Sequence, residues 1–127
     1  MSSISNDLKR FILTSVPSVP HLEAALMMHA QPGVSRTAAE VAARLYVPEQ
    51  VAADLLQSLC SAGMLKCDGG PPPQYRFEPG DPALDAAMAA LARAYAADLV
   101  GVTKLIHDAT QKSAQRFADA FRLRKDR

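Results

Sequence analysis

Residues 34–77 decide the fold, and their sequence is VSRTAAEVAARLYVPEQVAADLLQSLCSAGMLKCDGGPPPQYRF. Thr37-Ala-Ala-Glu40 has the spacing of a capping box, in which each side chain accepts a hydrogen bond from the other residue's backbone amide. It predicts a helix that ends near Leu45, followed after a short turn by a second helix over residues 48–62. Gly63 comes next, where a left-handed residue ends many helices. These features together predict a helix-turn-helix, whose second member we call the reading helix.

A two-stranded wing is predicted after the reading helix. Met64–Cys67 and Gln74–Phe77 form the paired strands, and Asp68–Pro73 forms the turn between them. The turn is stiff, because its three prolines fix φ and donate no backbone hydrogen bond. A further strand of one or two residues is expected at Val34.

Helices are predicted on both sides of this unit. On the N-terminal side, Asn6 or Asp7 caps a short helix that ends before Pro17, and Ser18 caps a second one. On the C-terminal side, Asp81 caps a long helix with a continuous apolar seam. The seam runs from Leu84 to Ala109, about seven helical turns, with Gly101 as a candidate kink. A last helix after Thr110 would place Ala114, Phe117, Ala118 and Phe121 on one face.

The predicted fold is mainly α with a small β-wing, a winged helix-turn-helix with helical N- and C-terminal extensions. Residues 1–80 would form the winged-helix domain with its N-terminal helices. Residues 81–127 would form a C-terminal helical extension and the probable dimerisation region.

Composition and motifs exclude several classes of protein. The chain has no apolar run of about 18 residues, the minimum for a simple membrane-spanning helix, and its first residues lack the pattern of a secretion signal. No nucleotide-binding, zinc-protease or serine-hydrolase motif occurs. His21, His29 and His107 lack metal-ligand spacing. We therefore expect a cytoplasmic protein that is not an enzyme and that has no metal, no cofactor and no membrane partner.

The pattern from Thr37 to Leu65 resembles bacterial winged helices of the MarR-like and ArsR-like transcription regulators. Thr37-Ala-Ala-Glu-Val-Ala and Leu59-Cys-Ser-Ala-Gly-Met-Leu65 carry the resemblance. It implies a homodimer that places two reading helices in successive major grooves of DNA. Tyr46 stands where these families often have Gly. Their reading helix often begins with Ser or Thr and carries Arg, His, Lys or Asn outward, whereas this chain has Pro48, Glu49, Ala53 and Asp54.

The resemblance implies a DNA-binding surface on the reading helix and around it. Gln side chains can bond adenine with two hydrogen bonds, and an acidic side chain can accept from cytosine N4. Basic side chains would contact phosphates. The candidate DNA-binding residues are Arg36, Thr37, Arg44, Gln50, Asp54, Gln57, Lys66 and Arg76.

The charge of this half of the chain favours a second interpretation. The net charge is +1 overall, but the reading helix has no Lys and no Arg. Basic residues supply most non-specific affinity for DNA. Residues 1–80 hold six of them, Lys9, Arg10, Arg36, Arg44, Lys66 and Arg76, against seven acidic residues. The alternative function is therefore a winged-helix module for protein–protein interaction that has lost DNA reading.

The long C-terminal seam also has two interpretations. It could pair with a second copy of the chain, which we favour, or fold back on the chain's own N-terminal helices. The candidate dimer-interface residues are Leu84, Met88, Leu91, Tyr95, Leu99, Val102 and Ile106.

The two cysteines lack the spacing of a disulfide framework or a CxxC motif, so free thiols are expected. Cys60 on the reading helix is either a redox sensor or a small buried packing residue, and the second interpretation is favoured. Cys67, beside Lys66 in the wing, is the more plausible reactive thiol.

Overall fold

The structure is a computed structural model that describes the backbone of residues 4–125 and the side chains of residues 4–112 and 118. Six helices and three strands follow one another in this part of the chain. They are α1 (Asn6–Ser15), α2 (Val19–Ala30), β1 (Arg36–Thr37), α3 (Ala38–Leu45), α4 (Glu49–Ser61), β2 (Leu65–Asp68), β3 (Gln74–Phe77), α5 (Pro82–Ala97) and α6 (Leu99–Lys125).

The two N-terminal helices begin at hydroxyl caps. Ser5, one residue before the predicted caps, accepts a hydrogen bond from the Leu8 amide at 3.2 Å and begins α1. Ser18 begins α2 as predicted, and its hydroxyl accepts from the amide of His21 at 3.4 Å. α1 ends at Ser15, two residues before the helix-breaking Pro17.

The predicted helix-turn-helix is confirmed as α3 and α4. Thr37 Oγ1 accepts from the Glu40 amide at 3.2 Å, and Glu40 Oε1 accepts from the Thr37 amide at 3.0 Å, which completes the capping box. The Glu40 carboxylate is used in this capping box, and the ion pairs among the described residues do not include one between Glu40 and Arg44. Tyr46 ends α3 in the left-handed region at φ 57 and ψ 46. This conformation explains why glycine suits the position.

The wing is one part of a three-stranded antiparallel sheet with the order β1-β3-β2. β1 lies at Arg36–Thr37, two residues beyond the position predicted for it. In this strand Arg36 pairs with Tyr75 and Thr37 pairs with Gln74. β2 begins at Leu65 rather than Met64, since Gly63 at φ 82 is still in the turn. The predicted second wing strand is confirmed without a shift.

The prediction of one continuous helix from Leu84 to Ala109 is wrong. α5 and the first half of α6 are bent by 114° at Asp98. The amide of Asp98 donates to Ala94 O at 2.8 Å and ends α5. Its Oδ1 accepts from the Gly101 amide at 3.0 Å and begins α6. Gly101 is not the kink: it leaves room for this carboxylate, which a Cβ atom at residue 101 would overlap.

The predicted break after Thr110 is also absent from the backbone. Thr110 Oγ1 donates to Ile106 O of its own helix at 3.0 Å and to Pro17 O at 3.1 Å, and α6 continues to Lys125. Ala118 is exposed. The side chains of Ala114, Phe117 and Phe121, predicted to share its face, lie outside the described residues.

The core lies between the two bent helix pairs. α1 and α2 each pack against α5 and α6, and α4 closes the core from the side of the sheet. Four residues predicted for a dimer interface, Met88, Leu91, Val102 and Ile106, are at most 2% exposed within a single chain. Leu84 and Tyr95 are half-buried, and Leu99 is 54% exposed. The seam therefore packs mainly on the chain's own N-terminal helices.

No single helix in residues 4–125 is long and apolar enough to span a membrane. Two pairs of consecutive helices are long and apolar enough only when the two members are added together. These pairs are α1 with α2 and α5 with the first half of α6, and both are sharply bent.

Candidate nucleic-acid interface

α4 exposes one polar face because its opposite face is packed into the core. Ala52, Leu55, Leu56 and Leu59 are buried and fix the rotation of the helix. The residues left outside include Glu49, Gln50, Asp54 and Gln57. The candidate DNA-binding residues Gln50, Asp54 and Gln57 are thus on the surface, where a partner can contact them.

Both glutamines of this face are engaged by neighbouring side chains. Gln50 Nε2 donates to Asp54 Oδ1 at 3.0 Å, one turn along the helix. Gln57 Oε1 accepts from the hydroxyl of Tyr75 at 3.4 Å. Because Gln50 carries no charge, its contact with Asp54 leaves the negative charge of the carboxylate unbalanced on this face.

Arg36 does not lie on this surface, contrary to its predicted phosphate contact. Its side chain is only 6% exposed, and its guanidinium donates to the Gln31 side chain. The physical reason is its place in β1, directly opposite the buried Tyr75. Thr37, also predicted to contact DNA, uses its hydroxyl in the capping box. Arg44 is exposed at the end of α3, as its predicted role requires.

The outer face of the wing pairs its cations with carboxylates. Arg76 Nη1 lies 2.8 Å from Asp68 Oδ1, and Arg76 Nη2 lies 3.0 Å from Glu78 Oε2. The hydrogen bond to Asp68 is the main reason that the pKa of Arg76 is raised. Lys66 Nζ lies 3.7 Å from the same Glu78 oxygen. The two predicted phosphate contacts of the wing are therefore balanced by two carboxylates.

The charge around the reading helix is negative when these residues are taken together. On α3, the first residues of α4 and the wing, the described side chains outside the core include three cations, Arg44, Lys66 and Arg76. The carboxylates in the same regions number five: Glu40, Glu49, Asp54, Asp68 and Glu78. Hydrogen bonds from Thr37 lower the pKa of Glu40, which favours its charged form. Phosphates approaching this surface would meet repulsion as well as attraction.

A cavity of about 300 Å³ separates the tip of the wing from the helix-turn-helix. Its walls come from the start of α3, the first turns of α4 and the inner side of the wing. The lining residues include Thr37, Ala39, Glu49, Ala53, Pro72 and Tyr75. Pro72 and Pro73 thus line the same cavity as Glu49 and Ala53 of α4.

Tyr75 is the residue of this region that the sequence prediction missed. It is 5% exposed, and its hydroxyl joins β3 to α4. The signal was present, because Tyr75 and Phe77 alternate with polar residues and so belong to one buried strand face. The partner on α4 could not be found in this way, since it depends on how the wing folds back.

The histidines and carboxylates of the described residues form no cluster of three or more that could hold a metal ion. His21 Nδ1 lies 2.6 Å from the hydroxyl of Ser18, and burial lowers the pKa of this imidazole. His29 stacks edge-on against Phe77 with ring centroids 5.0 Å apart. Both are therefore packing and capping residues in this structure.

The fold is similar to a crystal structure described as a MarR family transcription regulator. The TM-score is 0.51 and the sequence identity 21%, with 91% of this chain and 80% of that chain covered. No protein-family profile and no curated protein matches the chain. The likeness confirms the predicted fold class, a mainly helical MarR-like winged helix with a small antiparallel sheet.

Proposed function

We propose that this chain is a transcription regulator that binds double-stranded DNA as a winged-helix homodimer in the cytoplasm, without enzymatic activity. The observation that carries the proposal is the exposed polar face of α4, presented by a MarR-like fold. A protruding helix beside a wing is the arrangement with which winged helices enter the major groove.

Base reading would come from Gln50 and Gln57. Gln50 can exchange Asp54 for an adenine edge, because that bond is exposed. Gln57 would have to give up its half-buried bond to the Tyr75 hydroxyl, or contact a base through its amide Nε2 alone. Arg44 would contact phosphate directly. Lys66 and Arg76 would do so by leaving Glu78 and Asp68, exchanges of exposed ion pairs that are worth only about 0–1 kcal/mol each.

The electrostatics predict specific binding with little non-specific affinity. Few cations are free to displace counterions, so the slope of log affinity against log salt should be small.

Sequence selection from random duplexes at about 50 mM salt tests whether the chain reads DNA, since electrostatic attraction is strongest at low salt. We expect Gln57→Ala to weaken the selected site by about 1–3 kcal/mol. Glu23→Ala, at an exposed position of α2 outside the helix-turn-helix and the wing, is the control. Recovery of no preferred sequence would refute DNA reading.

The dimer would form at the end of the molecule where α1 meets α6. A shallow apolar cavity of about 350 Å³ opens there, lined by residues such as Leu13, Val16, Pro17 and Ala109. Leu13 is 52% exposed beside it. α6 continues for 15 residues beyond Thr110, and its sequence there holds Phe117 and Phe121 at helical spacing. A second copy could cover these apolar groups, as a twofold interface does.

Light scattering at about 50 μM tests the dimer, because micromolar affinity would already pair most chains. We expect a dimer mass for the unchanged protein and a monomer mass for Leu13→Asp. Val34→Asp changes an equally exposed apolar residue, 44% exposed, away from this end and should leave the dimer intact. A monomer mass for the unchanged protein would refute the homodimer.

A second candidate is a module that binds an unlike protein through α4 or the wing. The excess of carboxylates around α4 favours it, because this surface repels phosphate but accepts basic side chains. Gln57→Arg separates the two functions. The added cation should strengthen DNA binding and weaken the binding of a basic partner protein. Binding of a co-purified partner that Gln57→Arg and Asp54→Arg both leave unchanged would exclude this surface.

A further inference from the structure

Two thiols lie on opposite sides of the junction between α4 and the wing. Cys60 is in the last turn of α4 and is half-buried. Cys67 is in β2 and is exposed. Both are free, and the proposed function uses neither of them.

The register of the sheet places Cys67 on the face of the wing that packs against the helices. Cys67 pairs with Tyr75, and Leu65 pairs with Phe77. Directly opposite residues of an antiparallel pair have their side chains on one face, and so do residues two apart in a strand. Leu65, Tyr75 and Phe77 are all buried. Cys67 therefore belongs to the inner face of the wing, at its outer, solvent-accessible end.

Tyr75 marks the part of α4 that this inner face meets. Its hydroxyl donates to Gln57 Oε1 at 3.4 Å. Cys60 follows Gln57 by three residues, so the two side chains are neighbours on one side of the helix. The same aromatic ring thus has Cys67 beside it on the sheet and Cys60 beside its contact on α4.

Electrostatic effects agree with this juxtaposition. Burial is the main cause of the raised pKa of Tyr75, and the charges of both cysteines, if ionised, raise it further. Burial likewise raises the pKa of Cys60, and the charge of Cys67 adds to the effect. Cys67 is therefore within the range of electrostatic interaction with Cys60.

We propose that Cys60 and Cys67 form a redox-active dithiol that a peroxide converts to an intramolecular disulfide between α4 and the wing. The modification site is a property of the reduced fold and does not require that the chain binds DNA. Its effect is to tie the last turn of the reading helix to β2, two elements now joined through the turn at Gly63.

Cys67 reacts first, because it is exposed whereas burial keeps more of Cys60 protonated. Its thiolate sulfur attacks one peroxide oxygen: the S–O bond forms, the O–O bond breaks, and the departing hydroxide takes up a proton to become water. Cys67 must give up its weak contact to Asp68 O, at 3.7 Å, as it becomes a thiolate.

Cys60 then resolves the sulfenic acid. Its thiolate attacks the sulfur of Cys67, the S–S bond forms, and the S–O bond breaks, releasing hydroxide that becomes a second water. The two thiols together lose two electrons, and one peroxide is reduced to two waters. The bond needs Cβ atoms about 3.5–4.5 Å apart.

Intact-mass measurement on the full chain tests the proposal. The protein is treated with a small excess of hydrogen peroxide, then unfolded and alkylated. We expect a loss of about 2 Da, the two hydrogens of the thiols, and no alkylation. Reduction with dithiothreitol should restore two alkylated cysteines. Cys60→Ser and Cys67→Ser should each abolish the 2 Da loss and leave Cys67 or Cys60 for alkylation or stable sulfenic acid.

A displaced thiol provides the matched control. The double substitution Cys60→Ser and Ser61→Cys keeps the number of cysteines and moves one of them about 100° around α4, to an exposed position. We expect its intramolecular disulfide to form at least about tenfold more slowly, since exchange depends on access between the two sulfurs. Equal rates would overturn the proposal, because the fold would then not select Cys60. A disulfide-linked dimer as the main product of the unchanged protein would also overturn it.

Discussion

The helical frame, made of α1, α2, α5 and α6, and the winged helix, made of β1, α3, α4, β2 and β3, share one apolar core but differ in the charges on their surfaces. The frame buries large apolar groups such as Ile12, Leu22, Met88 and Leu91 completely. The winged helix places paired charges and amides on its outer surface, with Arg76 between Asp68 and Glu78. Burial in the shared core stabilises both regions, while the exposed ion pairs of the winged helix contribute little stability. Substitutions on the outer surface of the winged helix should therefore change binding with little effect on folding.

The largest expected difference between the two regions comes from truncating one side chain in each. Met88→Ala leaves a cavity at a fully buried site in the frame and should lower the free energy of unfolding by about 2–5 kcal/mol. Gln50→Ala on the winged helix should change it by no more than about 0.5 kcal/mol, because the contact of Gln50 with Asp54 is exposed. Urea unfolding followed by circular dichroism measures both. Equal effects would mean that the outer surface of the winged helix contributes to stability as much as the core does.

The bend between α5 and α6 is the next most sensitive point of the frame. Asp98→Ala removes the carboxylate that accepts from the Gly101 amide, and the loss of a helix cap should cost about 1 kcal/mol. Asp108→Ala, an exposed carboxylate on the same helix, is the control and should be nearly neutral. If the two substitutions have the same effect on the urea midpoint, the Asp98 cap does not hold the bend.

The turn between α3 and α4 offers a stabilising change in the winged helix. The backbone of Tyr46 is in the left-handed region at φ 57, which is unfavourable for a residue with a Cβ atom. Tyr46 is also 94% exposed, so its side chain makes few contacts that could offset this strain. Tyr46→Gly should relieve about 1 kcal/mol of that strain, less the entropy that glycine loses on folding. The thermal midpoint should rise slightly. Arg44→Gly, within α3, should instead lower it, because glycine disfavours a helix interior.

The smallest expected effect is a pH dependence in the frame. Burial lowers the pKa of His21 in the folded chain below its ordinary value. As pH falls below about 6.5 the unfolded chain takes up a proton at this residue before the folded chain does. The contribution of His21 to stability is therefore complete above that pH and decreases as pH falls towards the folded pKa. Urea midpoints between about pH 5 and 7.5 should show a smaller slope for His21→Gln than for the unchanged chain.

The sequence predicted the winged helix well because its boundaries depend on local groups. The capping box at Thr37, the residue Gly63 and the wing strands each act within a few residues, and the structure contains them. The MarR-like resemblance rested on the same residues. The fold comparison agrees with it.

The frame was predicted less well because its boundary is hidden in a continuous apolar pattern. The sequence around Asp98 has neither proline nor an adjacent glycine, and the spacing of apolar residues continues across it. Only the packing of Met88 and Ile106 on the N-terminal helices shows that the direction changes. The predicted phosphate contact of Arg36 was wrong for a similar reason, because the burial of this residue depends on its pairing with β3 and its contact with Gln31.

The two sharp bends have a consequence for the order of folding. α1 and α2 meet at 107° and α5 and α6 at 114°, and each arm of one pair contacts the arms of the other. The first 30 residues therefore complete their core only with residues more than 50 positions later in the chain. Contacts between such distant residues form late in folding, because closing a long loop costs conformational entropy before the buried contacts can stabilise the chain. The winged helix, built from neighbouring elements, can form in the growing chain and contact α2 while α1 still lacks its partners α5 and α6.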